Sequence, residues 1–246
     1  MNDLLLIERH GPVAVVTLNR PEKRNALSLD LREEMAERLS ALWGDPLGPT
    51  PRGDGDEELA CMVLTGAGTA FCAGMDVTQF GGDEANRRRI VEASTAAFGA
   101  MARMPLPAVA AVNGPAIAGG FALALYCDVR VASETARFGF GELPRGIPPS
   151  YAAARSTLPA ALAAELCLTG RLVHAAEAAD LGIVSEVVEP EALMPRALEI
   201  AEAIAAHASV ARVTKRRILL DREHLFGHLF AEEERMLRDS LLGGSG

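Results

Sequence analysis

Apolar and polar positions along the chain fall into short runs of strand length at the front and longer helical repeats behind. Leu4 to Glu8 and Val13 to Leu18 flank a His10-Gly11-Pro12 turn, which predicts two neighbouring strands. Ser28 stands where it can cap a helix whose Leu31, Met35, Leu39 and Leu42 recur on one side of a 3.6-residue repeat. The Gly-, Pro- and Asp-rich stretch from Gly44 to Glu58 predicts a surface loop. Cys61 to Thr65 and Ala108 to Val112 are uninterrupted apolar runs, as buried strands require, with a helix expected between them from Ala85 to Arg103. Gly119 to Tyr126 reads as a buried helix and Val129 to Ala132 as a further strand. Beyond Pro149 the pattern is mostly helical, over 150–168, 174–181, 190–207 and 209–240, with one strand at Ile183 to Val188. Strands followed by helices, then a helical tail, predict an α/β domain. No internal repeat is legible.

Composition narrows the picture. Of 246 residues, 49% are hydrophobic and 23% charged, which suits a packed core and excludes a disordered chain. A net charge of −9 argues against a nucleic-acid groove or an anionic membrane surface as the main partner, because phosphates would be repelled. Cys61, Cys72, Cys127 and Cys167 form no CxxC pair and no Cys/His cluster, as expected of reduced thiols in a cytoplasmic protein. The N-terminus lacks the basic start and cleavage site of a signal peptide. Leu106 to Cys127 is uncharged and long enough to span a bilayer, but Pro107, Asn113-Gly114-Pro115 and Gly119-Gly120 would break a single helix. A buried strand followed by a buried helix is expected there instead, and no membrane partner.

Three segments place glycine where a strand gives way to other structure: Thr65 to Val77 (TGAGTAFCAGMDV), Asn113 to Asp128 (NGPAIAGGFALALYCD) and Phe138 to Gly146 (FGFGELPRG). Glycine lets the backbone turn sharply and lets a ligand approach main-chain N–H groups. A helix N-terminus adds unpaired donors, so the first two segments are candidate oxyanion sites. Close helix–strand packing is the alternative use of the same glycines.

In this order, and with NRPEKRNAL at Asn19 to Leu27 and LTGRLVHAAEAADLGIVSEVV at Leu168 to Val188, the segments resemble the crotonase (enoyl-CoA hydratase/isomerase) superfamily over nearly the whole chain. The resemblance implies an α/β spiral of strand–strand–helix units over 1–190 and a C-terminal helical region, 191–246, that belongs to the same unit and mediates homotrimer or dimer-of-trimers contacts. It implies an acyl-CoA substrate, no separate cofactor, and two backbone donors for a thioester oxygen at Met75 and Gly119. Ala26, Ala73, Gly74 and Val77 would lie along the CoA moiety. Gly120 and Ala122 would border the acyl group, while Phe121 would line the acyl pocket or belong to the core. Lys23 or Arg24 would stand near phosphate, or be simply two solvated charges on a turn.

The hydratases of this superfamily carry two glutamates around the reacting carbons, and here the first of those positions is Ala122. Glu142 occupies the second, with apolar Phe138, Phe140, Leu143 and Pro144 around it. Burial among these would raise its pKa toward the range of a general base, with Arg145 opposing the shift or binding an acidic acyl chain. One carboxylate suffices to move a double bond, whereas water addition usually employs two. Single-glutamate isomerases of the superfamily resemble the chain in Ala118-Gly119-Gly120, Ala122 and Glu142. Hydratase and isomerase remain open at this point, as do an idle acyl-CoA-binding subunit and a lyase or decarboxylase. Asp76 is expected to cap the helix after its loop, Asp128 to satisfy local backbone, and Phe80 and Tyr151 to line the acyl pocket or the core. The five histidines show no triad or metal spacing, and no metal is assigned.

Overall fold

A computed structural model describes residues 3–43 and 58–242. All of the predicted 44–58 loop except Glu58, and the chain end at 243–246, fall outside the described residues. The elements run β1 (Leu5–His10), β2 (Val13–Leu18), α1 (Leu29–Trp43), β3 (Cys61–Gly66), α2 (Glu84–Ala102), β4 (Ala108–Val112), β5 (Ala116–Ile117), α3 (Gly119–Tyr126), β6 (Val129–Ser133) and β7 (Arg137–Gly139). There follow α4 (Tyr151–Arg155), α5 (Ala160–Thr169), β8 (Val173–His174), α6 (Ala175–Asp180), β9 (Glu186–Val188), α7 (Leu193–Ala205) and α8 (Ala208–Leu242).

Six strands form the main sheet in the order β1-β2-β3-β4-β6-β9. The β1–β2 pair is antiparallel and every later pairing is parallel. Both faces of this sheet are covered. Val13, Val15, Cys61, Val63, Val109, Ala111 and Val131 pack under α7 through Leu193, Ala197 and Ala201. The alternate residues Ala14, Val16, Met62, Leu64, Ala110 and Val112 join the larger core with Leu31, Met35 and Leu39 of α1 and the whole of Phe121–Tyr126 in α3. Burial on both faces is why these strands read as continuous apolar runs and not as an alternation.

A second layer escapes the apolar pattern. β5, β7 and β8 form a three-stranded sheet of two- and three-residue strands, extended by isolated bridges from Cys72 to Ala116 and from Leu27 to Met75. Such short strands carry no legible period. The expected 150–168 helix is likewise two helices, α4 and α5, because Pro159 stands at the N-terminal boundary of α5 and disfavours helical backbone in the residue before it. The strand expected from Ile183 pairs only over Glu186–Val188, beside β6.

Helix caps follow the sequence. Ser28 Oγ accepts the Leu31 N–H at 3.2 Å, and Asp83 Oδ1 accepts the Asn86 N–H at 2.8 Å to open α2. Asp76 Oδ1 accepts the Thr78 N–H at the head of a one-turn 3-10 helix, Val77–Gln79. Asp128 does satisfy backbone, through the Ala108 N–H at 2.8 Å, but its larger role is an ion pair. Lys215 of α8, only 1% exposed, donates from Nζ to both Asp128 oxygens at 2.8 Å. Burial holds that ammonium below its usual pKa, against the pull of Asp128. The pair fastens the long C-terminal helix to the end of the α3–β6 connection.

Removing one partner of a buried pair strands the other charge, typically at about 3–5 kcal/mol. Lys215→Ala should therefore lower unfolding stability by about that amount in guanidinium titration. A change under about 1 kcal/mol would show that water reaches Asp128 readily.

Candidate active site

The parallel neighbours β3 and β4 leave the main sheet at one edge, with Met62 opposite Ala108 in register. Ligands of α/β sheets bind at this carboxyl edge, where chain reversals open a crevice. Two glycine turns meet there. Gly74 has φ +91°, and a Cβ on it would lie 2.8 Å from the Ala118 Cβ, 2.9 Å from the Ile117 oxygen and 3.4 Å from the Gly119 nitrogen. A Cβ on Gly120 would come 2.2 Å from the Cys72 oxygen. Only glycine permits the two turns to sit this close.

Backbone bonding then leaves two donors over. Leu27 N–H donates to the Gly74 oxygen at 2.8 Å and the Asp76 N–H donates to the Leu27 oxygen at 3.2 Å. In a parallel bridge of this kind the intervening N–H, that of Met75, points to the opposite side. The Ala118 N–H is taken by the Gly139 oxygen at 2.9 Å, and Gly119 then opens α3, with no carbonyl inside its own helix to bond. Among the described residues neither Met75 N–H nor Gly119 N–H has an acceptor. Ala118 holds φ 55° and ψ −124°, a costly backbone for a residue with a Cβ, which sits where the donor pair is assembled.

Two asparagines, neither singled out from the sequence, clamp the Gly66–Ala70 loop that leads into the first turn. Asn25, fully buried, donates from Nδ2 to the Ala67 and Ala70 oxygens at 2.9 and 2.7 Å and accepts the Arg20 N–H at 2.9 Å. Asn113 Nδ2 donates to the Gly66 and Gly68 oxygens at 2.8 and 2.9 Å. Arg20 adds an ion pair to Asp76 at 3.3 Å, which with Thr78 holds that carboxyl below its usual range against partial burial. The motif context NRPEKRNAL and NGP contained these residues; what was not visible was the loop each would reach.

The donor pair opens into a cleft of about 1390 Å³. Its mouth is bordered by Lys23, Arg24, Ala26, Ala73 and Val77, its waist by Met75, Phe98, Gly119, Ala122 and Glu142, and its far end by Tyr126, Ser150, Tyr151 and residues of α8. Lys23 and Arg24 are both exposed there. Phe121, expected to line the acyl pocket or to belong to the core, takes the second place and is not a wall of this cleft. Its ring is fully buried, 5.7 Å from that of Phe138 and 5.0 Å from that of Phe140, because one position further along α3 from Gly120 turns the side chain into the core. Gly74 and Gly120 likewise form the turns without lining the space themselves.

Glu142 precedes a one-turn 3-10 helix, Leu143–Arg145, and faces the waist. It is 8% exposed, and its Oε2 has no hydrogen-bond partner among the described residues. Burial pushes its carboxyl up to about 7, with smaller opposing contributions from its own N–H and from Arg145. Arg145 itself is exposed and donates from Nη1 to the Gly141 oxygen at 3.1 Å. Opposite, Ala122 carries no group that can exchange a proton. No group of three or more His, Cys, Asp or Glu placed to hold a metal occurs among the described residues. The four cysteines are free and buried, each thiol pushed up to about 12 chiefly by burial. No helix among the described residues is long and apolar enough to cross a membrane.

A spiral of strand–strand–helix units whose glycine turns meet at the sheet edge over a cleft is the architecture of the crotonase-fold enzymes. The family model for enoyl-CoA hydratase/isomerase matches residues 8–236. The chain is 38% identical over 213 residues to enoyl-CoA hydratase EchA19 of Mycobacterium tuberculosis, covering 84% of this chain and 76% of that one. It is 36% identical over 214 residues to the short-chain-enoyl-CoA hydratase of Clostridium acetobutylicum, covering 84% and 77%. Among solved structures, the enoyl-CoA hydratase of Bacillus anthracis superimposes with a TM-score of 0.80 at 29% identity, over 99% of this chain and 92% of that one. The chain belongs to the enoyl-CoA hydratase/isomerase family.

The buried carboxyl makes a prediction about stability. Glu142 keeps its proton to about pH 7 when folded, against 4.5 for the unperturbed group. The folded state thus binds more protons between those values, and stability falls as pH rises through that window. Glu142→Gln should melt above the parent at about pH 8 and level with it near about pH 4.5, as read by calorimetry. Equal melting at both would mean the carboxyl is not held in a dry site.

Proposed function

We propose that this enzyme moves a proton on the acyl chain of a CoA thioester, with the thioester oxygen between the N–H groups of Met75 and Gly119 and Glu142 as the acid/base. The observation that supports this most is the convergence on one cleft of two unpartnered backbone donors and one buried carboxyl with a pKa of about 7. Taking a proton from the carbon next to a thioester drives an electron pair onto the carbonyl oxygen. Fixed donors at that oxygen stabilise charge that develops only in the transition state, each worth ~10²–10³ in rate. A base whose pKa lies near working pH serves both to remove the proton and to return it.

With Ala122 opposite, the arrangement favours double-bond migration: Glu142 takes the proton from one carbon and gives it back at another through the shared enolate. The step is redox-neutral and calls for no cofactor beyond the CoA of the substrate. The CoA would follow Lys23, Arg24, Ala26, Ala73 and Val77 at the mouth. Water addition is the second reading, supported by the names of the relatives, which are called hydratases. The expected site of work is the cytoplasm, in keeping with four free thiols.

The test is a panel of 2-enoyl-, 3-enoyl- and 3-hydroxyacyl-CoA thioesters with wild type and Glu142→Gln. Wild type should shift double bonds, with kcat/KM falling about tenfold per pH unit below about 7 as the base is protonated. Glu142→Gln should lose at least ~10² in turnover while thioester affinity stays nearly intact. Undiminished turnover by Glu142→Gln would refute the assignment. Gain or loss of water without migration would favour hydration, and thioester binding with no turnover by either protein would favour an idle subunit.

We also propose a homotrimer or a dimer of trimers. Outside the cleft, α8 leaves Val210, Val213, Ile218 and Leu225 from 40% to 66% exposed in the single chain, apolar surface that a second subunit would bury. Light scattering at micromolar concentration should report three or six chains; a stable monomer would exclude the proposal.

A further inference from the structure

One buried charge at the far end of the cleft is left unbalanced by the chain itself. Arg222 of α8 borders the cleft and is 9% exposed. Its Nη1 donates to the Ala102 oxygen at 3.3 Å, at the C-terminal end of α2. Nε is buried without an acceptor, and Nη2 has none among the described residues either. These two nitrogens share one edge of the planar guanidinium, an edge on which a carboxylate can bond through both oxygens. Lys215, two turns earlier on the same face of α8, shows how the chain treats a buried cation that it balances itself: Nζ bonds both oxygens of Asp128. No carboxylate stands within ion-pair distance of Arg222 among the described residues.

Two helices lead from the waist toward this charge. On α2, Phe98 stands beside the donor pair, since a Cβ on Gly119 would lie 2.9 Å from its ring. Ala102, whose carbonyl holds Arg222, follows one turn further, about 5 Å along the axis. On α3, Tyr126 lies one turn beyond Ala122, and its ring packs 6.0 Å from that of Phe230 on α8. A short run of methylenes between these walls would therefore bring its end to Arg222. Capping α2 uses one of the five guanidinium N–H groups and leaves the Nε–Nη2 edge open. The acids on α8 do not fill it. Glu233 accepts the Ser150 Oγ–H at 2.8 Å and the Ala152 N–H at 2.6 Å on different oxygens, and it lies about 16 Å further along the helix axis. At that range it opposes an incoming anion only weakly. Glu223 is exposed, as is Arg103, which adds a second positive charge to the border of the cleft.

We propose that Arg222 binds an anionic acyl terminus, so that the preferred substrates are CoA thioesters whose acyl chain ends in a second carboxylate. The proposal rests on the acyl-CoA reading of the cleft and adds the substrate class. A carboxylate supplies both the missing counter-charge and two acceptors for the open edge. An alkyl end would seal the cation in without either, and a hydroxyl would bring an acceptor but no charge. Capture of an acidic chain, weighed for Arg145 from the sequence, falls instead to α8, because Arg145 is exposed and bonded to the Gly141 oxygen. As a specificity-determining group Arg222 acts on binding and leaves the proton transfer to Glu142.

The experiment uses saturated thioesters, which bind without reacting, so that the outcome does not depend on turnover. Titration calorimetry on the full chain compares acyl-CoAs ending in a methyl group, in a carboxylate and in the methyl ester of that carboxylate, over a series of medium lengths. The charges of the CoA moiety are common to all three and cancel in the ratios. Wild type should bind the carboxylate at least about tenfold tighter than its methyl ester at one length or more. Arg222→Gln should shrink that ratio to within about twofold, and Arg145→Gln should leave it unchanged. Arg222→Lys keeps the cation without the two parallel donors and should lose most of the preference, which decides the matter if the glutamine variant does not fold. Equal affinity for acid and ester at every length would overturn the proposal. So would a preference that survives Arg222→Gln, stays whole in Arg222→Lys or vanishes in Arg145→Gln. Failure of the proton-transfer reading, seen in the enoyl-CoA panel, would leave these ratios readable, whereas absence of binding by any thioester would end both.

Discussion

The parallel pairing of β3 with β4 carries two strand exits to the same edge of the sheet, and the rest of the cleft depends on that placement. Each exit is a glycine turn, and the approach of Gly74 to the Ala118–Gly119 peptide leaves no room for a side chain between them. Once the turns touch, ordinary bookkeeping of backbone hydrogen bonds leaves the Met75 and Gly119 N–H groups over. The donors are what remains once the adjacent Ala73, Asp76 and Ala118 amides are bonded. Asn25 and Asn113 brace the loop that leads into the first turn, because each ties Gly66–Ala70 carbonyls that would otherwise move independently. A fixed pair of dipoles needs no reorganisation when charge develops, which is the physical basis of its value in catalysis.

Glu142 shows the opposite economy. A carboxyl with an unpartnered oxygen in a site this dry costs folding free energy once it ionises, and nothing in the protein's own structure repays it. The same dryness brings its pKa to the range where a proton can be taken and returned. Arg145 is close enough to pull that value down, yet it remains at the surface with its guanidinium on a carbonyl, so burial dominates. On the proposed reading, stability is given up at the residue that the proton transfer would use.

α8 is the element whose role composition concealed most fully. Its inward residues include Lys215, Arg222, Phe230 and Glu233, so polar groups recur on the side that faces the protein. Lys215 fastens the helix to Asp128, while Glu233 fastens it to the start of α4 through Ser150 and Ala152. Between those two anchors the helix closes the far end of the cleft over Tyr126. A charged-looking tail is in this way both a clasp and a wall, and its outward apolar residues are left for another surface.

The sequence by itself determined the large elements and the chemistry-bearing segments. The apolar runs that became β2, β3 and β4 are buried on both faces, and a segment in that situation has few other ways to be written. Gly74, Gly119 and Glu142 were legible because motif wording reports backbone constraint and local apolar context directly. What only the tertiary structure decided was every relation between distant segments. β5, β7 and β8 are too short for any period and exist because neighbouring turns offer them partners. Phe121 adjoins Gly120 in sequence yet points into the core, since on a helix adjacent residues face about 100° apart. Glu233 looked like one acid among several on an exposed repeat; the partners that set its role lie 81 and 83 residues away in the chain. Local pattern records what a residue's own neighbours demand, whereas a cleft is made by the long-range packing that brings such segments together.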